Sequence, residues 1–171
     1  LANFGGVGRR FDKKGVSNGV TIIDDYGHHP VEIKAALQAG RMLCDHHKLI
    51  AVVQPHRYSR LSELFSDFCA CFNDADEVLV ADVYAAGEDP IIGVDKASLV
   101  DGLRDHGHKG AAALASSAHL ATEIAARTSA GDLVMCLGAG DITSWAASLP
   151  GDLDDLHDQA EGGSTEMGDT A

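Results

Sequence analysis

The sequence predicts an α/β fold: a Rossmann-like, mostly parallel sheet flanked by helices, with an N-terminal β-hairpin. Short apolar runs of strand length recur along the chain, and amphipathic stretches of about 10–15 residues separate them. This alternation is typical of βαβ units, which build parallel sheets. An Asn-Gly turn signal before the first apolar run predicts the hairpin.

The hairpin is expected to pair residues 10–16 with residues 20–25 across the Asn18-Gly19 turn. Continuous apolar runs predict three strands buried on both faces of the sheet: residues 48–54, 77–82 and 132–137. A weaker, alanine-rich strand is expected before the last of these.

Helices are expected between the strands. Pro30 opens the first, which runs to about Asp45, because proline fits the first helical turn. An apolar stripe over residues 61–72 predicts a second helix, and we interpret that stripe as core. Further helices are expected near residues 97–105, near residues 119–128, and after the last strand through Trp145.

Composition indicates one domain, residues 1–149, followed by a tail, residues 150–171. The tail carries seven acidic residues and no Lys or Arg, so we expect it to be disordered. The formal net charge of −13 argues against nucleic-acid binding. No apolar run approaches the ~18 residues of a membrane helix. The start at Leu1, without a signal pattern, suggests a piece of a longer protein.

The four cysteines form no CxxC pair, so we interpret them as small buried hydrophobic residues, not as metal ligands or disulfides. Reduced thiols fit a cytoplasmic protein.

Two polar segments follow predicted strands at the edge where parallel sheets collect ligands. Residues 24–30 (DDYGHHP) place paired acids beside paired imidazoles, which can hold a ribose, a metal-bound water or an amine. In residues 54–60 (QPHRYSR), Arg57 and Arg60 can clamp a carboxylate or phosphate. The alternative is structural: an aspartate that ends a strand, and a histidine, His29, that caps the next helix.

Two weaker candidates lie at the same predicted edge, the loop over residues 85–93 and the GAGD segment at 138–141. GAGD is compatible with a phosphate-binding turn at a helix start and equally with a tight strand-to-helix turn. The chain has no GxxxxGK[ST], GxSxG or HExxH motif. The candidate site therefore has no complete catalytic apparatus of its own.

Three ordered motifs resemble the third domain of the Mur ligases: residues 8–12 (GRRFD), 23–30 (IDDYGHHP) and 54–60 (QPHRYSR). The similarity extends through residues 84–91 to 138–142. It covers about residues 4–148, and the tail matches nothing. QPHRYSR is more similar to the alanine-adding branch of the family than to the tripeptide-recycling branch.

The resemblance implies an ATP-dependent ligase that joins L-alanine to UDP-N-acetylmuramate. ATP phosphorylates the muramoyl carboxylate, and the amine then attacks the acyl phosphate. The P-loop, the Mg²⁺ ligands and most of the nucleotide-sugar site belong to two further domains. The third domain closes over ATP and positions the amino acid, so the isolated chain is expected to be inactive.

The resemblance also implies site residues, although no catalytic residue and no metal ligand is assigned within the chain. The expected ATP-binding residues are Arg10, Asp25 and Tyr26. The expected L-alanine residues are His28, Arg57 and Arg60. The choices between Arg9 and Arg10, and between Asp24 and Asp25, stay open.

Two other functions stay open. One is a stand-alone Rossmann-like module that binds a nucleotide or anion without catalysis. The other is a related muramoyl-peptide ligase with a different amino-acid or peptide specificity.

Overall fold

The computed structural model describes residues 10–162. Its strands are β1 (Asp12–Ser17), β2 (Val20–Asp25), β3 (Leu49–Val53), β4 (Glu77–Val80), β5 (Ala111–Ala113) and β6 (Leu133–Leu137). Its α-helices are α1 (Pro30–Cys44), α2 (Tyr58–Glu63), α3 (Phe65–Ala70), α4 (Lys96–Asp105), α5 (Leu120–Arg127) and α6 (Ile142–Gly162). A 3₁₀ turn, Ser117–His119, precedes α5.

The six strands form one sheet in the order β1-β2-β6-β3-β4-β5. The β1–β2 pair is antiparallel, and every other neighbouring pair is parallel. Helices α1 to α4 pack on one face, and α5 and α6 pack on the other. The predicted fold class, including the N-terminal hairpin, is confirmed. Because β6 lies between β2 and β3, the carboxyl ends of these three strands are neighbours.

The hairpin turn has the backbone that its sequence requires. Asn18 and Gly19 both have positive φ, 46° and 79°, as in the turns that match strand twist. A side chain at Gly19 would also collide, because an added Cβ would lie 2.8 Å from the Cβ of Ala130.

Helix α1 begins with a capping box. The His29 side chain accepts a hydrogen bond from the backbone of Val31, and Glu32 accepts hydrogen bonds from the backbone N–H groups of His28 and His29. The structural interpretation of His29 as a helix cap is therefore the correct one.

The stripe over residues 61–72 is core, as predicted, but it forms two helices instead of one. Leu61, Phe68 and Phe72 are almost fully buried. The backbone of Leu64, with φ −110° and ψ 21°, leaves the helical region and separates α2 from α3. This change of direction lets residues on both helices reach the same core.

The predicted disordered tail is wrong for residues 150–162, which continue α6, and the boundary at 149/150 falls inside that helix. Leu153 is 2% exposed in the core beside α5, and the Ser17 hydroxyl donates a 2.6 Å hydrogen bond to Asp154. These contacts dock an acidic segment that has few apolar residues. Residues 163–171 lie outside the described part of the chain.

Pro150, the first residue of the predicted tail, lies inside α6. Its ring packs on β1 at Gly15, where an added Cβ would lie 2.9 Å from the proline Cγ. The register of β1 shifts between Lys13 and Gly15, so the proline ring faces an irregular part of the strand at a residue that has no side chain. Packing against the sheet thus offsets the hydrogen bond that proline cannot donate.

All four cysteines are buried and unpaired, as interpreted from their spacing. Burial raises the pKa of Cys71 and of Cys136 to about 12, so both are inert thiols. Among the described residues, none of the helices is apolar over a length that would span a bilayer.

Candidate functional site

The four polar segments that follow strands meet at the carboxyl edge of the sheet. Backbone hydrogen bonds join them: Gly138 donates to the carbonyl of Asp25, and Gln54 donates to the carbonyl of Leu137. A parallel bridge between His56 and Tyr84 adds the loop after β4. The edge is thus one continuous surface built from these segments: residues 24–30, 54–60, 84–93 and 138–141.

The three residues expected at the nucleotide lie together. Arg10, Asp25 and Tyr26 line one cavity of about 170 Å³, with Glu32 at its side. Both oxygens of Asp25 already accept backbone hydrogen bonds, from Phe11 at 2.8 Å and from Gly27 at 2.7 Å. Each oxygen keeps a second lone pair, so this fixed carboxylate can still accept a ligand hydroxyl.

Asp24 and Asp25 point to opposite faces of the sheet. Asp24 is fully buried, accepts a 2.6 Å hydrogen bond from the Thr143 hydroxyl of α6, and lies 3.8 Å from the ammonium of Lys14. Asp25 alone of the two lines the cavity with Arg10. The geometry therefore favours Asp25 for a ligand and gives Asp24 a structural role. Arg9 lies outside the described residues.

Four rings form a row across the edge. The centroids of Tyr26 and His28 are 5.0 Å apart with the rings edge to face, and those of His28 and His56 are 5.6 Å apart. His56 stacks on Tyr84 at 5.4 Å with an interplanar angle of 14°. The row places the cavity lined by Arg10 and Asp25, the two histidines and the loop after β4 side by side.

Hydrogen-bond partners fix the histidine tautomers. His28 Nδ1 lies 3.0 Å from the carbonyl oxygen of Tyr26, which can only accept, so Nδ1 carries the proton and Nε2 has the lone pair. His56 Nδ1 lies 3.2 Å from Arg60 Nη1, which can only donate, so the proton of His56 is on Nε2. Burial is the largest cause of the lowered pKa of His56, and the positive charges of Arg60 and Arg57 lower it further.

The two arginines reach the edge in different ways. Arg60, in the first turn of α2, donates to the backbone carbonyl of His56 at 2.9 Å, which ties it to the strand end. Arg57 precedes the helix, its side chain is 49% exposed, and its backbone φ of 74° is unusual for a residue other than glycine. A backbone bond from its N–H to the carbonyl of Tyr84 holds that conformation. Such strain is common at functional sites.

Two acidic residues of the site, Glu32 and Glu88, were missed by sequence reasoning. Burial opposes the ionisation of Glu32, but backbone N–H donors at His28 and His29 hold its pKa below the ordinary value. A hydrogen bond from the Ser59 hydroxyl is the main cause of the lowered pKa of Glu88. The capping-box spacing signals Glu32 in the sequence, whereas Glu88 contacts a segment that is distant along the chain.

The GAGD segment is a tight turn packed against Gln54. The side-chain oxygen of Gln54 accepts a 3.2 Å hydrogen bond from the backbone N–H of Ile142, and its side-chain NH₂ group donates a 2.6 Å hydrogen bond to Asp141. A Cβ at Gly140 would lie 2.4 Å from Gln54 Oε1 and 2.7 Å from the Tyr84 ring. The glycine is thus required by close packing, which supports the structural interpretation of this segment.

Comparison with known proteins agrees with this architecture. Residues 9–140 match the family model described as Mur ligase, glutamate ligase domain. The chain is 61% identical over 163 residues to the UDP-N-acetylmuramate–L-alanine ligase of Paramagnetospirillum magneticum, covering 95% of this chain and 34% of that protein. The corresponding ligase of Rhodospirillum centenum is 60% identical over 92% of this chain and 32% of its own length. The chain thus spans about a third of the length of these relatives.

Solved structures show the same fold. The crystal structure of UDP-N-acetylmuramate–alanine ligase from Thermotoga maritima superposes with a TM-score of 0.67 at 28% identity, covering 92% of this chain and 31% of that one. A domain of a UDP-N-acetylmuramate:L-alanyl-γ-D-glutamyl-meso-diaminopimelate ligase from Haemophilus ducreyi has a TM-score of 0.63 at 22% identity, covering 84% of this chain and 99% of that one. The chain therefore belongs to the Mur ligase family, as its C-terminal, glutamate ligase domain.

Proposed function

We propose that the chain is the amino-acid-positioning domain of an ATP-dependent ligase that adds L-alanine to UDP-N-acetylmuramate in cytoplasmic peptidoglycan precursor synthesis. The observation that carries this proposal is the shared sheet edge. At this edge the cavity lined by Arg10, Asp25 and Tyr26 lies beside His28 and the arginine segment after β3, which supports a nucleotide next to the amino acid. The 61% identity to a protein of that name supports the choice of reaction and amino acid.

On the nucleotide side, each residue has a role that suits its chemistry. The exposed guanidinium of Arg10 can neutralise phosphate charge, which is the main requirement of phosphoryl transfer. The carboxylate of Asp25, held by two backbone donors, can accept from the ribose hydroxyls. Tyr26 forms a further wall of the same cavity. These residues fit ATP bound between this domain and the rest of the enzyme.

On the amino-acid side, the carboxylate of L-alanine is the principal handle, because its methyl group offers little contact area. Arg57 has an exposed guanidinium whose planar fork matches two carboxylate oxygens. Arg60 is anchored at His56 and supplies a second positive charge at the start of α2. The lone pair on His28 Nε2 can accept a hydrogen bond from the amino group.

Domain closure completes the proposed mechanism. Charges on a mobile domain reach the phosphates only when the site is closed, and closure excludes the water that would hydrolyse an acyl phosphate. Within residues 10–162, no group of three or more His, Cys, Asp or Glu side chains is placed to hold a metal ion. We assign the Mg²⁺ ligands to the other domains, as the resemblance implies.

The test is an assay of the full-length enzyme for ADP release. We expect release to require UDP-N-acetylmuramate and L-alanine together, and to be absent with either substrate alone. The isolated 171-residue chain, assayed under the same conditions, is the control that should release no ADP. Nucleotide binding by the full-length protein without any turnover would instead support a non-catalytic binding module and would overturn the proposal.

A further inference from the structure

The loop between β4 and α4 returns to α2 and contacts it through one carboxylate, Glu88. Glu88 Oε1 accepts a 2.6 Å hydrogen bond from the Ser59 hydroxyl, and Oε2 accepts a 3.0 Å hydrogen bond from the Ser59 backbone N–H. The same Oε1 lies 3.8 Å from Nη1 of Arg57. One side chain thus holds the first turn of α2 and faces the guanidinium that precedes it.

The loop also fixes the backbone of Arg57. The N–H of Arg57 donates to the carbonyl of Tyr84, and the N–H of Tyr84 donates to the carbonyl of Pro55, each at 2.8 Å. Two residues of one loop therefore hold Arg57 in its positive-φ conformation: Tyr84 binds its own N–H, and Glu88 binds the next turn at Ser59. With the backbone held in this way, the guanidinium direction depends mainly on the charge that faces it.

The distances indicate that Glu88 can orient the Arg57 guanidinium without using its N–H donors. The strong hydrogen bonds of Glu88 go to Ser59, whereas the 3.8 Å approach to Arg57 exceeds hydrogen-bond length. A guanidinium has five N–H donors, so a carboxylate at this distance attracts it and leaves those donors for another anion. A free amino-acid carboxylate is such an anion.

We propose that Glu88 is a positioning residue for the amino-acid carboxylate: it sets the direction of Arg57 and the start of α2 without contacting the substrate. The proposal rests on the proposed function, because it assumes that Arg57 binds the amino acid. It predicts that the charge of Glu88 controls affinity for L-alanine and leaves ATP affinity unchanged.

The test uses the full-length enzyme and the variant Glu88→Gln, which keeps an oxygen acceptor for Ser59 and removes the charge. We expect the KM for L-alanine to rise about fivefold, the upper end for an ion pair with a half-exposed partner. The KM for ATP and kcat should stay within about twofold, since no reacting group is touched. The matched control is Asp89→Asn, the same charge change at the exposed neighbouring residue, which should leave all three constants unchanged.

A double-mutant cycle decides whether Glu88 acts through Arg57. If it does, adding Glu88→Gln to Arg57→Ala raises the KM no further, whereas a purely structural role gives additive effects and overturns the inference. Should Glu88→Gln fold poorly, Ser59→Ala removes the hydroxyl that holds Glu88 and should shift the L-alanine KM in the same direction; no shift would contradict us. If the wild-type enzyme shows no L-alanine-dependent turnover, the proposed function is refuted. If Arg57→Ala raises the KM for L-alanine but Glu88→Gln does not, only this inference is refuted.

Discussion

The second half of α6 contributes to the domain core, so its removal should destabilise the chain. Truncation after Leu149 deletes the buried Leu153, the Pro150 ring on β1 and the acceptor for the Ser17 hydroxyl. Loss of a buried leucine side chain costs roughly 2–5 kcal/mol, and a net hydrogen bond adds about 1 kcal/mol. We expect a loss of about 4 kcal/mol in the free energy of unfolding. At about 2–4 °C per kcal/mol for a chain of this size, Tm should fall by about 10 °C.

Thermal unfolding followed by circular dichroism measures this difference directly on the 171-residue chain. Truncation after Gly162 is the control, because it keeps every contact described for α6. Leu153→Ala should reproduce about half of the full effect, whereas Leu43→Ala, at a side chain that is 65% exposed, should change Tm little. If the chain truncated after Leu149 melts within about 2 °C of the full chain, residues 150–162 contribute little to stability and the packing described for the end of α6 is contradicted.

Three further predictions concern the site and the sheet. In the full-length enzyme, Arg57→Ala should raise the KM for L-alanine about 30-fold, which is the lower end of the range for a charged pair because half of the side chain is exposed. Arg57→Lys should restore part of this loss. Equal effects on the KM values for ATP and L-alanine would remove Arg57 from the amino-acid site. Asp25→Asn should raise the KM for ATP more than that for L-alanine in the same steady-state assay, and the opposite order would separate its cavity from the nucleotide. Gly15→Val should lower Tm because its Cβ would collide with Pro150, and an unchanged melting curve would show that the ring is not packed there.

Much of the fold was predictable because the sheet is buried on both faces. Residues 49–53 and 133–137 are continuous apolar runs, a pattern that is typical of strands covered on both faces. The hairpin was predictable from Asn18-Gly19, since that pair adopts positive φ at low cost. Strand order was not predictable, because nothing local in the sequence of β6 specifies its insertion between β2 and β3.

The end of α6 shows where local signals fail. Proline and many acids normally indicate a helix stop and a solvated tail. Here Pro150 packs on Gly15, and Leu153 extends the apolar stripe of α6 by one turn. The Pro150–Gly15 contact and the Ser17–Asp154 hydrogen bond join segments more than a hundred residues apart, so only the tertiary structure reveals them.

The candidate site was predictable as a set of segments and not as a set of contacts. Strand ends bearing 24–30 and 54–60 had to lie at one edge once the sheet was parallel. The choice of Asp25 over Asp24 depended on which face each side chain takes, and that follows from the packing of α6 at Thr143. Glu88 was missed because its partner, Ser59, is 29 residues away in the sequence.

The amino-acid specificity of the full-length enzyme tests the central claim most directly. The measurement compares kcat/KM for L-alanine, glycine, L-serine, D-alanine and the tripeptide L-alanyl-γ-D-glutamyl-meso-diaminopimelate, with UDP-N-acetylmuramate as the acceptor. Our account predicts the highest value for L-alanine, because a single carboxylate held at Arg57 and a small side chain suit this edge of the sheet. A higher value for the tripeptide would identify a different member of the family, and no turnover with any of the five would contradict the assignment as a ligase.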